Sequence, residues 1–272
     1  MKFLNRASAY QRAVAYALLL IVIGGVGLSA CTPATPPSTQ TAIPGAVSRN
    51  ADWRPVTQTI NGVEMVKVPA GCFTMGSPDG RRDERPATRV CIERPFWLDR
   101  TEVTNAQYGS DGPYPGPNRP RTNLTWFEAR DHCRARGGRL PTEAEWEFAG
   151  RGPDDLYYPW GNILVEDRLN FDKRQLEPSP VGSFPKGQSW VGAYDLSGNV
   201  WEWVSSQYRP YPYNATDGRE SPDDLSAPRV FRGGWLSYVD RATSVVMRFR
   251  TAPDGRDWRI GFRCAMDLRK GD

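Results

Sequence analysis

The stretch Tyr194–Trp203, Y-D-L-S-G-N-V-W-E-W, decides how the rest of the chain is read. Asp195 and Glu202 flank a Ser197-Gly198-Asn199 turn, and Trp201 and Trp203 follow in alternation. Alternation of this kind places Trp201 and Trp203 on one face of a strand and Val200 and Glu202 on the other. A glycine turn between two carboxylates also brings backbone carbonyls beside them, and such an oxygen-rich set suits a hard cation such as calcium. The plainer alternative is a tight turn leading into a buried strand.

Four further motifs occur with this one in a fixed order. They are M-V-K-V-P-A-G-C-F-T-M-G-S (Met65–Ser77) with F-W-L-D-R-T-E-V-T-N-A-Q-Y (Phe96–Tyr108), R-L-P-T-E-A-E-W-E-F-A-G-R-G (Arg139–Gly152), R-V-F-R-G-G-W (Arg229–Trp235) and I-G-F-R-C-A (Ile260–Ala265). Together they resemble the formylglycine-generating enzyme family, also called sulfatase-modifying factors, over roughly residues 53 to 267. The resemblance implies a single α+β domain, loop-rich and irregular, with short helices and small antiparallel sheets, related to C-type lectins. It does not imply one activity, because the superfamily holds oxidases, non-haem iron enzymes and members without known chemistry.

The first 31 residues read as an address. Lys2, Arg6 and Arg12 form a basic start and Ala13–Leu28 an apolar run, too short for a comfortable membrane span and followed by small residues. L-S-A-C, ending at Cys31, resembles a bacterial lipobox, which implies lipidation of Cys31 and delivery outside the cytoplasm. An uncleaved N-terminal anchor is the alternative. Thr32 after the cysteine, by the same resemblance, favours the outer membrane, facing the periplasm. Residues 32–52 are Pro/Thr/Ser-rich with few large apolar side chains and are expected to form a flexible tether. The expected domain covers 53–269, about 220 residues, enough for one full core.

Composition agrees with a loop-rich globule: 26 Gly and 24 Pro accompany 10 Trp. The net charge of +4 comes from interspersed charges, 35 basic and 31 acidic, rather than from a basic stripe, so nucleic acid is not an expected partner. Three helix starts carry capping boxes, at Thr104/Gln107, Thr125/Glu128 and Thr142/Glu145. The second helix is expected over 126–136 and to stop at Gly137-Gly138. The segments 62–73 and 90–99 read as two strands of one hairpin.

After Cys31, four cysteines remain, at 72, 91, 133 and 264. An even number in an exported protein favours disulfides, and residue patterns alone leave three pairings open. The family resemblance implies Cys133–Cys264, which leaves Cys72–Cys91 for the hairpin. The family's oxidases hold copper on a cysteine pair between Gly-Gly and Arg-x-Arg. Here that segment, Trp235–Met247, has no cysteine, so a thiolate is missing both as ligand and as redox group. The family's iron enzymes need three histidines, and this chain has one, His132, on the second expected helix. Neither copper nor iron is expected.

Carried over residue by residue, the resemblance makes Asp195 and Glu202 side-chain ligands of a structural calcium ion, with Gly198 and Val200 contributing carbonyls. A second family site would begin at Asn170 and Phe171, but the segment completing it is shortened. Trp235, Tyr238, Arg248, Arg250 and Trp258 correspond to the family's groove and are residue types enriched in recognition sites; the alternative is that several of them are core. Asp240, Asp254, Asp257 and Glu220, interspersed with Arg248, Arg250 and Arg256, are expected to form surface ion pairs. Ser237, Tyr238, Thr243 and Ser244 lack a histidine base, and no nucleophile–base arrangement is visible. The expected function is a non-catalytic binding or scaffold lipoprotein at the cell envelope, holding a protein or peptide partner. The alternatives are a divergent periplasmic enzyme and, from fold analogy alone, a carbohydrate-binding module.

Overall fold

The computed structural model describes residues 43–170, 177–235 and 243–268. Cys31 with its leader, and Tyr238 of the expected groove, lie outside them. Part of the expected tether is held by the domain. Val47 bridges Gly71, its backbone amide donating to the Ala70 carbonyl at 2.9 Å, and the Asn50 side-chain Nδ2 donates to the Arg151 carbonyl at 3.1 Å. The approach is close: a Cβ on Gly71 would stand 2.8 Å from the Phe148 ring and 2.9 Å from the Val47 carbonyl oxygen. The folded body therefore begins before residue 53, because Val47 and Asn50 find backbone partners.

Strands β1 (Thr57–Ile60) and β2 (Val63–Val68) form a hairpin through Asn61-Gly62, both at positive φ. β2 does not run on to Phe73 as one strand. Pro69 interrupts it, and β3 (Gly71–Met75) continues in a different sheet. Pro95 does the same on the return, separating β4 (Thr88–Ile92) from β5 (Phe96–Asp99). A proline cannot donate to a ladder, so the expected long hairpin splits at matching points. β3 pairs with β4, placing Cys72 opposite Cys91, and β2 pairs with β5, placing Val68 opposite Phe96.

Three helices follow, each closed by its expected capping box: α1 (Asn105–Tyr108), α2 (Trp126–Ala135) and α3 (Glu143–Arg151). In each, a threonine hydroxyl takes the amide three residues on, and the Gln or Glu there returns the bond. Such caps typically contribute about 1 kcal/mol. α2 stops at Gly137, φ 79°, and the Gly138 amide turns back to the Cys133 carbonyl at 2.9 Å.

The last sheet is built on β6 (Trp201–Gln207), between antiparallel β7 (Arg229–Arg232) and parallel β9 (Ile260–Phe262), with β8 (Arg248–Thr251) outside β7. β10 (Ala265–Asp267) returns to the first sheet beside β5. The result is a loop-rich α+β domain, with antiparallel pairing everywhere among the named strands except β6–β9.

Two apolar clusters hold it together. α3 places Trp146 and Phe148 against Val66, Phe73, Leu98 and Val204. α2 places Trp126, Ala129 and Cys133 against Trp203, Phe262 and Cys264. The disulfides are Cys72–Cys91, partly exposed on β3–β4, and Cys133–Cys264, buried where α2 meets the chain between β9 and β10.

Candidate functional site

The turn before β6 needs unusual backbone. Asp195, Gly198 and Asn199 have φ of 59°, 87° and 61°, a left-handed region that Gly, Asn and Asp enter most readily. A Cβ on Gly198 would meet the Asn170 carbonyl oxygen at 2.9 Å. The turn is thereby pressed into the domain, and Asp195, Gly198, Val200 and Glu202 are all buried.

β6 alternates as expected. Trp201 and Trp203 both pack edge-on against Phe231, and Glu202 points the other way. Its carboxylate is fully enclosed, and its partner is Arg263. Nε and Nη2 of the guanidinium donate to Oε2 and Oε1 at 2.6 and 2.7 Å, and the Trp146 indole N–H adds a third bond at 2.9 Å. Arg263 also donates to the carbonyls of Asp99, Arg100 and Tyr194. Although burial alone would depress it, Glu202 holds the Arg263 guanidinium firmly charged.

Two more carboxylates lie close by. Asp195 accepts from the Gly182 amide at 2.6 Å, and Glu102 Oε1 accepts from Asn199 Nδ2 at 2.9 Å. Burial, followed by the charges of Asp195 and Glu202, holds the Glu102 carboxyl well above the ordinary range. Burial likewise raises Asp195, against the opposing pull of the Gly182 amide and Arg263. Glu102 in turn lends Asp195 a side-chain hydrogen bond, so Asp195, Glu102 and Glu202 gather around one guanidinium in a dry place. Among the described residues no group of three or more Asp, Glu, His or Cys converges as a ready-made metal cage. A cation here would rely on carbonyl oxygens and share Glu202 with Arg263. Sequence reading missed Glu102 and Arg263. Both lie inside quoted motifs, but no spacing rule brings residues so far apart in the chain to Glu202.

The groove residues do not form one set. Trp235 and Trp258 meet edge-to-face at 5.0 Å, with Tyr114 6.4 and 6.2 Å from them, and Trp258 is 44% exposed. Arg248 is a core residue instead. It is fully buried, chelates Glu143 at 2.7 and 2.9 Å, and lies over the rings of Tyr208 and Tyr211. Alternation along β8 sends Arg250 to the Tyr208 ring at 4.1 Å and turns Phe249 toward Trp201. Arg248 therefore belongs to a buried ion-pair network, Glu143–Arg232–Glu147–Arg151, rather than to the surface pairs expected of it. Asp257 with Arg259, and Arg256 with Glu128, do form surface pairs. His132 stacks on Tyr108 at 5.0 Å, half-buried on α2.

Comparison with known proteins places this geometry. The family profile described as "Sulfatase-modifying factor enzyme 1-like domain" matches residues 50–110 and 113–268, and the chain belongs to that family. The "Inactive C-alpha-formylglycine-generating enzyme 2" of Bos taurus is 32% identical over 284 residues, covering 76% of this chain and 88% of that protein. The "Formylglycine-generating enzyme" of Streptomyces coelicolor is 36% identical over 173 residues, covering 56% of this chain and 54% of that one. Among solved structures, PvdO from Pseudomonas aeruginosa superposes with a TM-score of 0.65 at 26% identity, over 79% of this chain and 100% of its own. The chain is thus similar both to a relative named inactive and to one named formylglycine-generating enzyme.

Proposed function

We propose that this chain is a non-catalytic binding or scaffold member of the sulfatase-modifying-factor family, carried at the cell envelope by a lipid on Cys31. The observation that carries the reading is the fate of its thiols. Every cysteine among the described residues is spent in a disulfide, and Trp235–Met247, where the family's redox pair would stand, contains none. The chemistry of the oxidases needs a thiolate. Incubated with copper, oxygen and a cysteine-containing sulfatase peptide, the protein should produce no aldehyde detectable by oxime formation. Aldehyde above the protein-free control would overturn the reading. The exposed Trp258, backed by buried Trp235 and flanked by half-buried Tyr114, is the surface we assign to a protein or peptide partner, since aromatic anchors concentrate binding energy.

The envelope address has its own test. Cys31→Ser should leave an unprocessed precursor that takes up no labelled fatty acid, while the wild type is labelled. Equal labelling would sink the assignment. The several acyl chains of a mature lipoprotein would anchor it firmly, whereas one chain binds membranes only marginally.

We also assign a structural calcium ion to the turn before β6, with Asp195 and Glu202 as carboxylate ligands and the carbonyls of Gly198 and Val200 completing much of the set. The gathering of the Asp195, Glu102 and Glu202 carboxyls beside the turn, with Arg263 as the cation beside them, supports it. At a hundredfold excess over its dissociation constant, an ion bound only by the folded state stabilises by about 2.7 kcal/mol. For a domain this size that is roughly 5–10 °C in melting temperature. Calcium should raise the melting temperature and chelation should lower it, and Asp195→Asn should shrink that difference. A melting temperature indifferent to both calcium and chelator rules the ion out.

A further inference from the structure

The outer edge of β4 is open. β4 pairs with β3 on one side, and no other backbone hydrogen bond engages its residues among those described. A groove of about 780 Å³ is lined by Val90–Ile92 of β4 together with Thr142, Tyr213 and Glu220. It shares no lining residue with the Trp235–Trp258 surface. An exposed edge with alternating side-chain pockets is the surface onto which extended peptides add as strands. The Cys72–Cys91 bridge ties β4 to β3 at mid-strand, so the edge is already ordered before anything binds.

The far wall carries a prepared negative charge. Glu220 accepts from Ser206 Oγ at 2.6 Å, from Tyr213 OH at 2.8 Å and from Ser205 Oγ at 3.2 Å. Ser206 Oγ itself accepts the Glu143 amide at 2.8 Å, which leaves its single proton for Glu220. These donors fix Glu220 as an acceptor. No guanidinium or ammonium among the described residues pairs with it, while neighbouring Glu145 and Asp267 share Arg139. Burial pushes the Glu220 carboxyl up, as expected where the compensating cation is missing. At the rim Glu93 and Arg94 offset each other, so the groove keeps an excess of carboxylate.

We propose that this groove takes an extended peptide segment as an added strand on β4, with a lysine or arginine side chain of that segment reaching Glu220. The main chain would lie about 4.8 Å from β4 and alternate side chains would point toward the wall, so one basic residue meets Glu220 while its neighbours face outward. Apolar surface from Val90, Ile92 and Leu268 lines the path of its aliphatic stem.

The test uses the full-length protein in detergent and fluorescein-labelled, end-blocked six-residue peptides of alternating threonine and valine. One carries a central lysine, one carries norleucine in its place, and a third carries the lysine on a backbone N-methylated at alternate residues. By anisotropy, the lysine peptide should bind roughly tenfold or more tighter than the norleucine peptide, the range of a charge-assisted hydrogen bond. Glu220→Gln should erase that preference and leave norleucine binding unchanged. N-methylation should abolish binding. Equal affinity for lysine and norleucine on the wild-type protein would overturn the proposal without recourse to a variant. Undiminished binding of the N-methylated peptide, or no binding of the lysine peptide at millimolar concentration, would do so equally.

Discussion

Glu202→Gln is expected to destabilise the domain by about 3–5 kcal/mol, the cost of removing one partner from a buried ion pair. The reason lies in what remains. Arg263 sits at 0% exposure with two N–H groups directed at the Glu202 carboxylate. Glutamine keeps the shape but supplies one acceptor oxygen and turns an NH2 toward those donors. The nearby Glu102 and Asp195 carboxyls are held by Asn199 and Gly182, not by Arg263, and they do not take over its bonds. For a domain of this size the loss corresponds to roughly 6–20 °C in melting temperature. Chemical denaturation of the two proteins reads it directly, and a loss below about 1 kcal/mol would show the pair to be dispensable. The loss should persist in chelator, because it comes from Arg263. That separates it from any calcium effect, for which Asp195→Asn is the cleaner probe.

Removing Cys133–Cys264 is expected to cost about 4–5 kcal/mol, and removing Cys72–Cys91 about 3 kcal/mol, on the loop-entropy account of crosslinks. The bridges span sequence separations of 131 and 19 residues, so the first constrains far more of the unfolded chain. Packing works in the same direction. Cys133 and Cys264 are buried in the cluster with Trp126, Trp203 and Phe262, and double alanine replacement leaves a gap there. Cys72 and Cys91 are partly exposed, so dithiothreitol should open their bridge first, with the buried one following only on unfolding. Peptide mapping after graded reduction checks the order. Simultaneous reduction of both bridges under native conditions would contradict it.

These two expectations draw on the chain in different ways. The disulfide pairing was implied by the family resemblance, since the cysteines alone left three pairings open, whereas the three helix starts were legible from threonines with Glu or Gln three residues on. That capping pattern is a local rule, and local rules survive folding. The alternation of Trp201, Glu202 and Trp203 likewise follows from the two-residue period of a strand. The hairpin shows where such reading stops. Residues 62–73 and 90–99 looked like two continuous strands, and Pro69 and Pro95 marked the breaks. Only pairing in space shows that the two halves enter separate sheets.

By itself, the sequence determined the family, the α+β class, the capped helices and the lack of a cysteine between Gly234 and Arg248. These rest on residue identity, ordered motifs or short spacing, whereas the disulfide pairing was implied only through the family resemblance. Tertiary structure alone decided the partners of the charged groups. Arg248 looked like a groove residue and is the counter-ion of Glu143, 105 positions away. Glu202, read from the sequence as a calcium ligand, is also paired with Arg263, 61 positions on. Glu220 looked like one more surface carboxylate and instead lines a groove with hydroxyls for partners. A charge in a sequence has no preferred partner. Burial makes solitude costly, and which opposite charge or donor meets it depends on which strands and loops the fold brings together.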